Sequence, residues 1–298
     1  MPLAHARTLA GCLWRPGSAG WTRAGGGRPM LVSPSVVIQV DGVAIHSARV
    51  REQGYEVTRE HQGSHWWFRA RRDLCLRQVS RAAVALGYPR RPLSLLDYGC
   101  AGGFDLSFLD ELGTAEGADI SDALADEPGR HAIHVVPRDL DRLRGRFDIV
   151  TCLDVLEHLA DDVDGLRTIR SLLIPGGQVV VTVPAYDWLW SGEDEISAHQ
   201  RRYTRATLLR SCRDAGLEVL YASYFNISLL PAMAAVIWSR RLLRRDWRTE
   251  SNLTADPSWL RGLAGAATAL EARWIGDQRC VLPAGASIVC RLRRAEEA

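Results

Sequence analysis

Apolar and polar positions along the chain change period several times, and each change marks an element. From about Val50 to Leu86 the spacing is helical: His65-Trp66-Trp67-Phe68-Arg69-Ala70-Arg71-Arg72 leads into Leu74, Leu76, Val79 and Val84, and Gly87 and Pro89 end the run. Short apolar runs then alternate with helical stretches. Strands are predicted at Leu93–Tyr98, Ala115–Asp119, Ala132–Val136, Phe147–Cys152, Gly177–Val183, Leu217–Tyr221 and Ser287–Leu292. Helices are predicted at Phe104–Leu112, at Asp162–Leu173 before the Pro175-Gly176-Gly177 turn, and from the Thr204 cap to Gly216. Residues 224–284 read as mainly helical. This order predicts an α/β fold, a doubly wound and mostly parallel seven-stranded sheet with an N-terminal helix and a helical insertion before the last strand. The corresponding division is 1–45 a disordered leader, 46–92 a helical segment, 93–223 the core, 224–284 the insertion, and 285–298 the last strand and tail.

Composition narrows the picture modestly. With 298 residues, 47% hydrophobic and 24% charged, the chain is globular and can bury a core without staples. A formal net charge of +2 gives no argument for nucleic acid. There is no lysine, so all 37 basic residues are arginine; such a bias makes any single arginine weak functional evidence. The seven cysteines form no CxxC pair and no zinc spacing, so free thiols in a reducing compartment, and no metal, are expected. Residues 1 to about 40 lack Asp and Glu and are rich in Gly, Ala, Arg and Pro. They read as a dispensable leader, whether transit-like or an over-long frame whose start is Met30. The apolar run Phe225–Trp238 is interrupted by Pro231 and is too short to span a membrane. Followed by Arg240, Arg241, Arg244 and Arg245, it reads as a core helix, with peripheral docking at a membrane surface as the alternative. The expected location is the cytoplasm, with peripheral contact at the inner membrane surface left open; the oligomeric state is not legible.

The strongest chemical signal is Leu95-Leu96-Asp97-Tyr98-Gly99-Cys100-Ala101-Gly102-Gly103, a strand running into a glycine-rich turn. Missing side chains let a ligand approach the backbone there, at the carboxyl end of the sheet where open α/β folds bind ligands. A dinucleotide fingerprint fails at Ala101 and Phe104, which disfavours an NAD-dependent oxidoreductase. Asp97 suits an ammonium better than a pyrophosphate, which a carboxylate repels. Asp119 closes the next strand and is placed for ribose hydroxyls; Asp139, after the third, is placed for an adenine amino group.

In these residues the chain resembles the class I S-adenosylmethionine (SAM)-dependent methyltransferases over roughly residues 60 to 292. Their strand–D/E-x-G-x-G-x-G motif is matched at Asp97, Gly99 and Gly103, with Ala101 replacing the middle glycine, and their second acid at Asp119. The segment from Phe147 to Leu159, including Leu156-Glu157-His158, resembles the family's FDxVxxxxVLEHL block. His65–Arg72 and His199-Gln200-Arg201-Arg202-Tyr203 resemble the HWWF-x-x-RR and H-x-RRY segments of a bacterial methyltransferase-domain group. The resemblance implies a Rossmann-like methyltransferase fold and SAM as cofactor. It implies a cofactor site of Asp97, Gly99, Cys100, Ala101, Gly103, Asp119, Ile120, Asp139, Leu140 and Leu153. The expected acceptor is a small molecule or a lipid- or glycan-linked group, methylated at oxygen. A non-catalytic regulatory or scaffold protein that keeps the fold is the alternative. His158 is the candidate general base and His199 a second catalytic candidate. Trp188, Trp190, Arg201, Arg202 and Tyr203 are the candidate acceptor contacts, although Arg201 and Arg202 could equally pair with Glu193, Asp194 and Glu195.

Overall fold

The computed structural model describes residues 38–40, 43–45, 66–101, 103–120, 131–242, 258–278 and 280–295. Most of the expected leader, the helical start over residues 50–65, Cys12, Gly102, Arg244 and Arg245 lie outside the described residues. Two short strands, β1 (Ile38–Val40) and β2 (Val43–Ile45), pair antiparallel.

The helical spacing after the tryptophan pair gives α1 (Trp66–Ala85). Short runs that follow become the strands β3 (Leu93–Tyr98), β4 (Gly113–Asp119), β5 (Ile133–Val135), β6 (Phe147–Leu153), β7 (Leu173–Pro184), β8 (Leu217–Phe225) and β9 (Ser287–Arg294). The central ones, β3, β6 and β7, are buried on both faces, as a parallel sheet covered by helices requires. The sheet order is β5-β4-β3-β6-β7-β9-β8, parallel except that β9 runs antiparallel between β7 and β8. β3 carries β4 on one side and β6 on the other, so the order reverses there and opens a crevice beyond the carboxyl ends.

Side chains alternate between two cores. One face packs Leu95, Ile149, Val180 and Val289 against Leu74, Val79 and Ala82 of α1 and against Ala272 and Ile275 of α8 (Ser258–Gly276). The other packs Phe147, Val179, Val181, Ile288 and Leu292 against Leu166, Ile169 and Leu172 of α4 (Asp162–Leu172) and Leu208 and Cys212 of α6 (Arg205–Asp214). α1 is locked to α8 at its end: the Arg81 guanidinium donates to the carbonyls of Gly276 and Asp277 at 2.8 and 2.6 Å, satisfying acceptors that a helix terminus leaves open.

The structure differs from the sequence reading at several points. β7 starts at Leu173, so Pro175-Gly176-Gly177, expected as a turn before the strand, falls within its bounds. The helix after the glycine-rich turn shrinks to α2 (Leu106–Leu109). β4 must start on the backbone of β3, where a Cβ on Gly113 would fall 1.9 Å from the Leu93 oxygen, so the chain from Phe104 to Leu112 has no room for more than a turn. β8 runs on to Phe225, beyond the predicted Tyr221. Pro231 does not interrupt an apolar run but opens α7 (Leu230–Leu242), in a first turn where its missing N–H costs nothing. Among the described residues no helix is long and apolar enough to cross a membrane, and Cys75, Cys100, Cys152, Cys212, Cys280 and Cys290 are free thiols.

Candidate functional site

The turn after β3 is shaped by backbone. Gly99 has φ +82°, and a Cβ there would lie 2.3 Å from Val155 Cγ2, so this position must stay bare for the turns after β3 and β6 to meet. The Gly99 amide donates to the Ala118 carbonyl at 2.7 Å, tying the turn to β4. The Cys100 side chain packs inward against Gly117, leaving only its backbone for a ligand. Ala101 sits at φ +46°, a left-handed conformation that costs an alanine on the order of 1–2 kcal/mol and that glycine adopts freely. Its amide donates to Asp119 Oδ2 at 2.9 Å, so the nearly buried Asp119 closes the turn as well as ending its strand. Gly103 also takes a positive φ, +69°.

Asp97 is 4% exposed and accepts from the Thr151 hydroxyl at 2.6 Å. Burial pushes its carboxyl up to about 7, the Asp105 charge adding to the rise while the Thr151 hydrogen bond and Arg71 oppose it.

The residues that surround Asp97 have no role in the sequence reading, although Arg71, Arg72 and Asp154 fall in segments named there. Arg71 on α1 is 7% exposed and reaches Asp154 Oδ2 at 2.5 Å and Asp105 Oδ2 at 3.6 Å. Its Nε is buried without a hydrogen-bond partner. Trp67 and Phe68, one helical turn earlier, hold the guanidinium at 5.2 and 5.3 Å from their ring centres. Arg72 pairs with Asp105 at 2.9 Å and lies over Phe104 and Phe108. Asp154, at φ +56° after β6, also accepts from the Thr182 hydroxyl at 3.0 Å. A small cavity lined by Cys75, Leu76, Asp105, Thr151 and Leu153 lies beside this cluster. Buried acids in excess of guanidiniums, one guanidinium with an unused N–H, and a turn free of side chains suit a ligand bearing both an ammonium and a carboxylate. SAM carries both, so the residues present fit it.

The remaining cofactor candidates line the same edge. Ile120 is 40% exposed at the end of β4, and Leu153 ends β6. Leu140 opens α3 (Leu140–Leu143) and packs against the core. Asp139 accepts from the Val135 amide at 2.9 Å, which holds its carboxyl below the usual range.

Beyond β6 and β7 lie the candidate acceptor and catalytic residues. Leu156–His158 forms a 3₁₀ turn in which Glu157 is wholly buried and His158 faces outward. Both Glu157 oxygens lack hydrogen-bond partners, and burial, then the charge of Asp154, pushes its carboxyl well up. The His158 and His199 rings meet edge to face, 4.7 Å between centres. His199 Nδ1 bonds Asp194 Oδ1, in α5 (Gly192–Ile196), at 2.8 Å. Burial would raise the Asp194 carboxyl, but hydrogen bonds from His199 and Arg202 hold it well below the carboxylate range.

Three acceptor candidates have partners within the protein. Arg202 makes a forked pair with Asp194, Nε–Oδ1 2.7 Å and Nη2–Oδ2 2.8 Å. Arg201 donates to Asp162 Oδ1 and the Ala160 carbonyl. Tyr203 is 3% exposed and its hydroxyl reaches Asp162 Oδ2 at 3.1 Å. These bonds order the loops, which is the alternative the sequence left open for Arg201 and Arg202. The Asp194 partner is one the sequence reading named; Asp162 was not foreseen. Trp190 donates its indole N–H to Glu195 at 3.0 Å. Trp188 is 39% exposed and stacks on Tyr186, which stacks on Tyr224, with ring centres 5.6 and 5.2 Å apart. Trp238 of α7 lies 6.3 Å from Trp188.

A family model described as Methyltransferase domain matches residues 67–222, just over half of the 298 residues. The ubiquinone biosynthesis O-methyltransferase of Pseudomonas paraeruginosa is 28% identical over 181 residues, covering 52% of this chain and 78% of that protein. The protein of the same name from Coxiella burnetii is 31% identical over 129 residues, covering 38% of this chain and 54% of that protein. Among solved structures, the 1,6-didemethyltoxoflavin-N1-methyltransferase of Burkholderia thailandensis aligns with a TM-score of 0.47 at 17% identity, covering 91% of this chain and all of that one (100%).

Removing Arg202 strips buried Asp194 of its forked guanidinium and leaves it with His199 and the Ser191 amide and hydroxyl. Arg202→Ala is expected to lower unfolding free energy by about 3–5 kcal/mol in urea titration. Parental stability with a raised KM would instead return Arg202 to the acceptor.

Proposed function

The chain belongs to the methyltransferase-domain family and is a class I SAM-dependent methyltransferase, and from that premise we propose that it methylates a hydroxyl oxygen of an apolar or aromatic, small or lipid-linked acceptor. The observation that carries this reading is the His158–His199 imidazole pair at the carboxyl edge of the sheet. A hydroxyl must lose its proton as it is methylated, and imidazoles titrate where that transfer is feasible at neutral pH. The Tyr224–Tyr186–Trp188 stack, with exposed Trp238, Val236 and Leu242 beyond it, supports an acceptor with a flat or greasy body. The O-methyltransferase names of the Pseudomonas and Coxiella relatives support oxygen as the attacked atom.

In this reading Asp97 takes the cofactor's ammonium and Arg71 its carboxylate. The bare backbone at Gly99 and Gly103 admits the methionyl chain. Asp119 takes the ribose hydroxyls, and Asp139, Ile120, Leu140 and Leu153 flank the adenine. The cofactor supplies a methyl group already activated on sulfur. What the chain adds is alignment of the acceptor oxygen, exclusion of water by α1, and an outlet for the proton.

Two outcomes are expected. Purified protein should move label from methyl-labelled SAM into a cell extract, and His158→Ala should cut turnover by about 10²–10⁴-fold with little change in adenosylhomocysteine affinity. Unchanged turnover would remove His158. The second concerns pH. With the Asp97 carboxyl raised to about 7, a proton must leave before the ammonium can bind in acid solution. Calorimetry should therefore find adenosylhomocysteine binding weakening as pH falls below about 7, approaching tenfold per pH unit. Asp97→Asn should flatten the profile; a parent profile already flat from pH 6 to 8 would contradict the assignment.

A further inference from the structure

We propose that Glu157, His158 and His199 form a binding site for a divalent transition-metal ion of the zinc or cobalt type. One ligand atom from each lies within 4.8 Å of the others. Around a tetrahedral ion with bonds of about 2.0–2.2 Å, such atoms sit roughly 3.4 Å apart, so side-chain rotations of about an ångström close the site.

Glu157 is the strongest evidence. It is 0% exposed, and neither carboxylate oxygen has a partner. An unsatisfied buried acid is costly, and sequences rarely keep one without a compensating ligand. A cation between this carboxylate and two imidazoles supplies the missing partner.

The supporting structure resembles that of known metal centres. His199 Nδ1 is held by Asp194 at 2.8 Å, which leaves Nε2 as the ligand atom; a carboxylate on the far nitrogen is how metal-bound imidazoles are usually oriented. Asp194 is itself fixed by the fork from Arg202 and by the Ser191 amide at 2.7 Å. The two ligand-bearing segments are stitched together by the Gln200 amide, which donates to the Glu157 carbonyl at 2.7 Å. His158 is on the outer side, so a fourth coordination position faces solvent. Two imidazoles and one carboxylate favour zinc, cobalt or nickel over magnesium or calcium, and three protein ligands with one open position is a catalytic, not a purely structural, arrangement.

The site's use in catalysis rests on the function proposed above; its existence does not. With the ion bound, the two imidazoles would hold it and no longer take the proton themselves; an acceptor hydroxyl in the fourth position would instead ionise near neutral pH and pass its proton to water. The oxygen–methyl bond then forms as the sulfur–methyl bond breaks, and the sulfur leaves as a neutral thioether.

The test uses untagged full-length protein, stripped with chelator and titrated with Zn²⁺ by calorimetry and with Co²⁺ by visible absorption. One tight ion per chain is expected, with the intense Co²⁺ bands of a four-coordinate site. Glu157→Gln and His199→Ala should each weaken binding at least tenfold; Glu157→Gln is nearly isosteric and guards against a folding failure in the histidine variant. Adenosylhomocysteine affinity, measured on the same samples, should stay at the parental value. No tight ion, or one that both variants keep, overturns the metal site and leaves the methyltransferase reading standing, whereas loss of adenosylhomocysteine binding in the parent would strike that reading and not this one.

Discussion

The site is organised by one guanidinium placed among acids. Arg71 is buried between Asp154 and Asp105, with Asp97 beside them raised toward neutrality by its surroundings. Burying such a cluster is expensive unless its charges are matched, and here the acids outnumber the guanidiniums of Arg71 and Arg72. The fold tolerates it because α1 is fixed independently, through Leu74 and Val79 against the sheet and Arg81 against the end of α8. The helix therefore delivers Arg71 to the carboxyl edge whether or not the charges there are balanced. A ligand that brings an ammonium and a carboxylate improves the balance, which gives the cleft a preference for an amino-acid moiety before any nucleoside contact is counted.

The second constraint is steric. Gly99 and Val155 bring the turns after β3 and β6 into contact, so the cofactor turn and the segment leading to Glu157 and His158 form one block. Asp154 lies in that block, pairs with Arg71, and also bears electrostatically on Glu157. Cofactor and acceptor chemistry thus meet through two residues, Asp154 and Val155, and a change at either is felt on both sides.

Much of the fold was legible because parallel strands buried on both faces leave continuous apolar runs, as in Leu93–Leu96 and Val179–Val183. The helix after the turn was overdrawn because its limit is the contact of Gly113 with the Leu93 backbone, which no local pattern records. Asp97, Gly99, Gly103 and Asp119 were legible since their spacing follows strand ends. Arg71 stood within the His65–Arg72 segment but drew no role, because among 37 arginines only its long-range contacts to Asp105 and Asp154 tie it to the site. For Arg201 and Arg202 the sequence left acceptor contact and ion pairing open together, and only the fold shows that Asp162 and Asp194 engage them. No metal spacing could be read either, since His158 and His199 approach only after α4 and β7 have turned the chain back.

The central claim is that Arg71 recognises the amino-acid end of the cofactor. The direct measurement is the affinity ratio of adenosylhomocysteine to methylthioadenosine, the nucleoside lacking that end, in the parent and in Arg71→Met. The account predicts a preference of at least tenfold for adenosylhomocysteine in the parent, about 1.4 kcal/mol, that largely disappears in the variant while methylthioadenosine binds as before. A variant that keeps the full preference would contradict it.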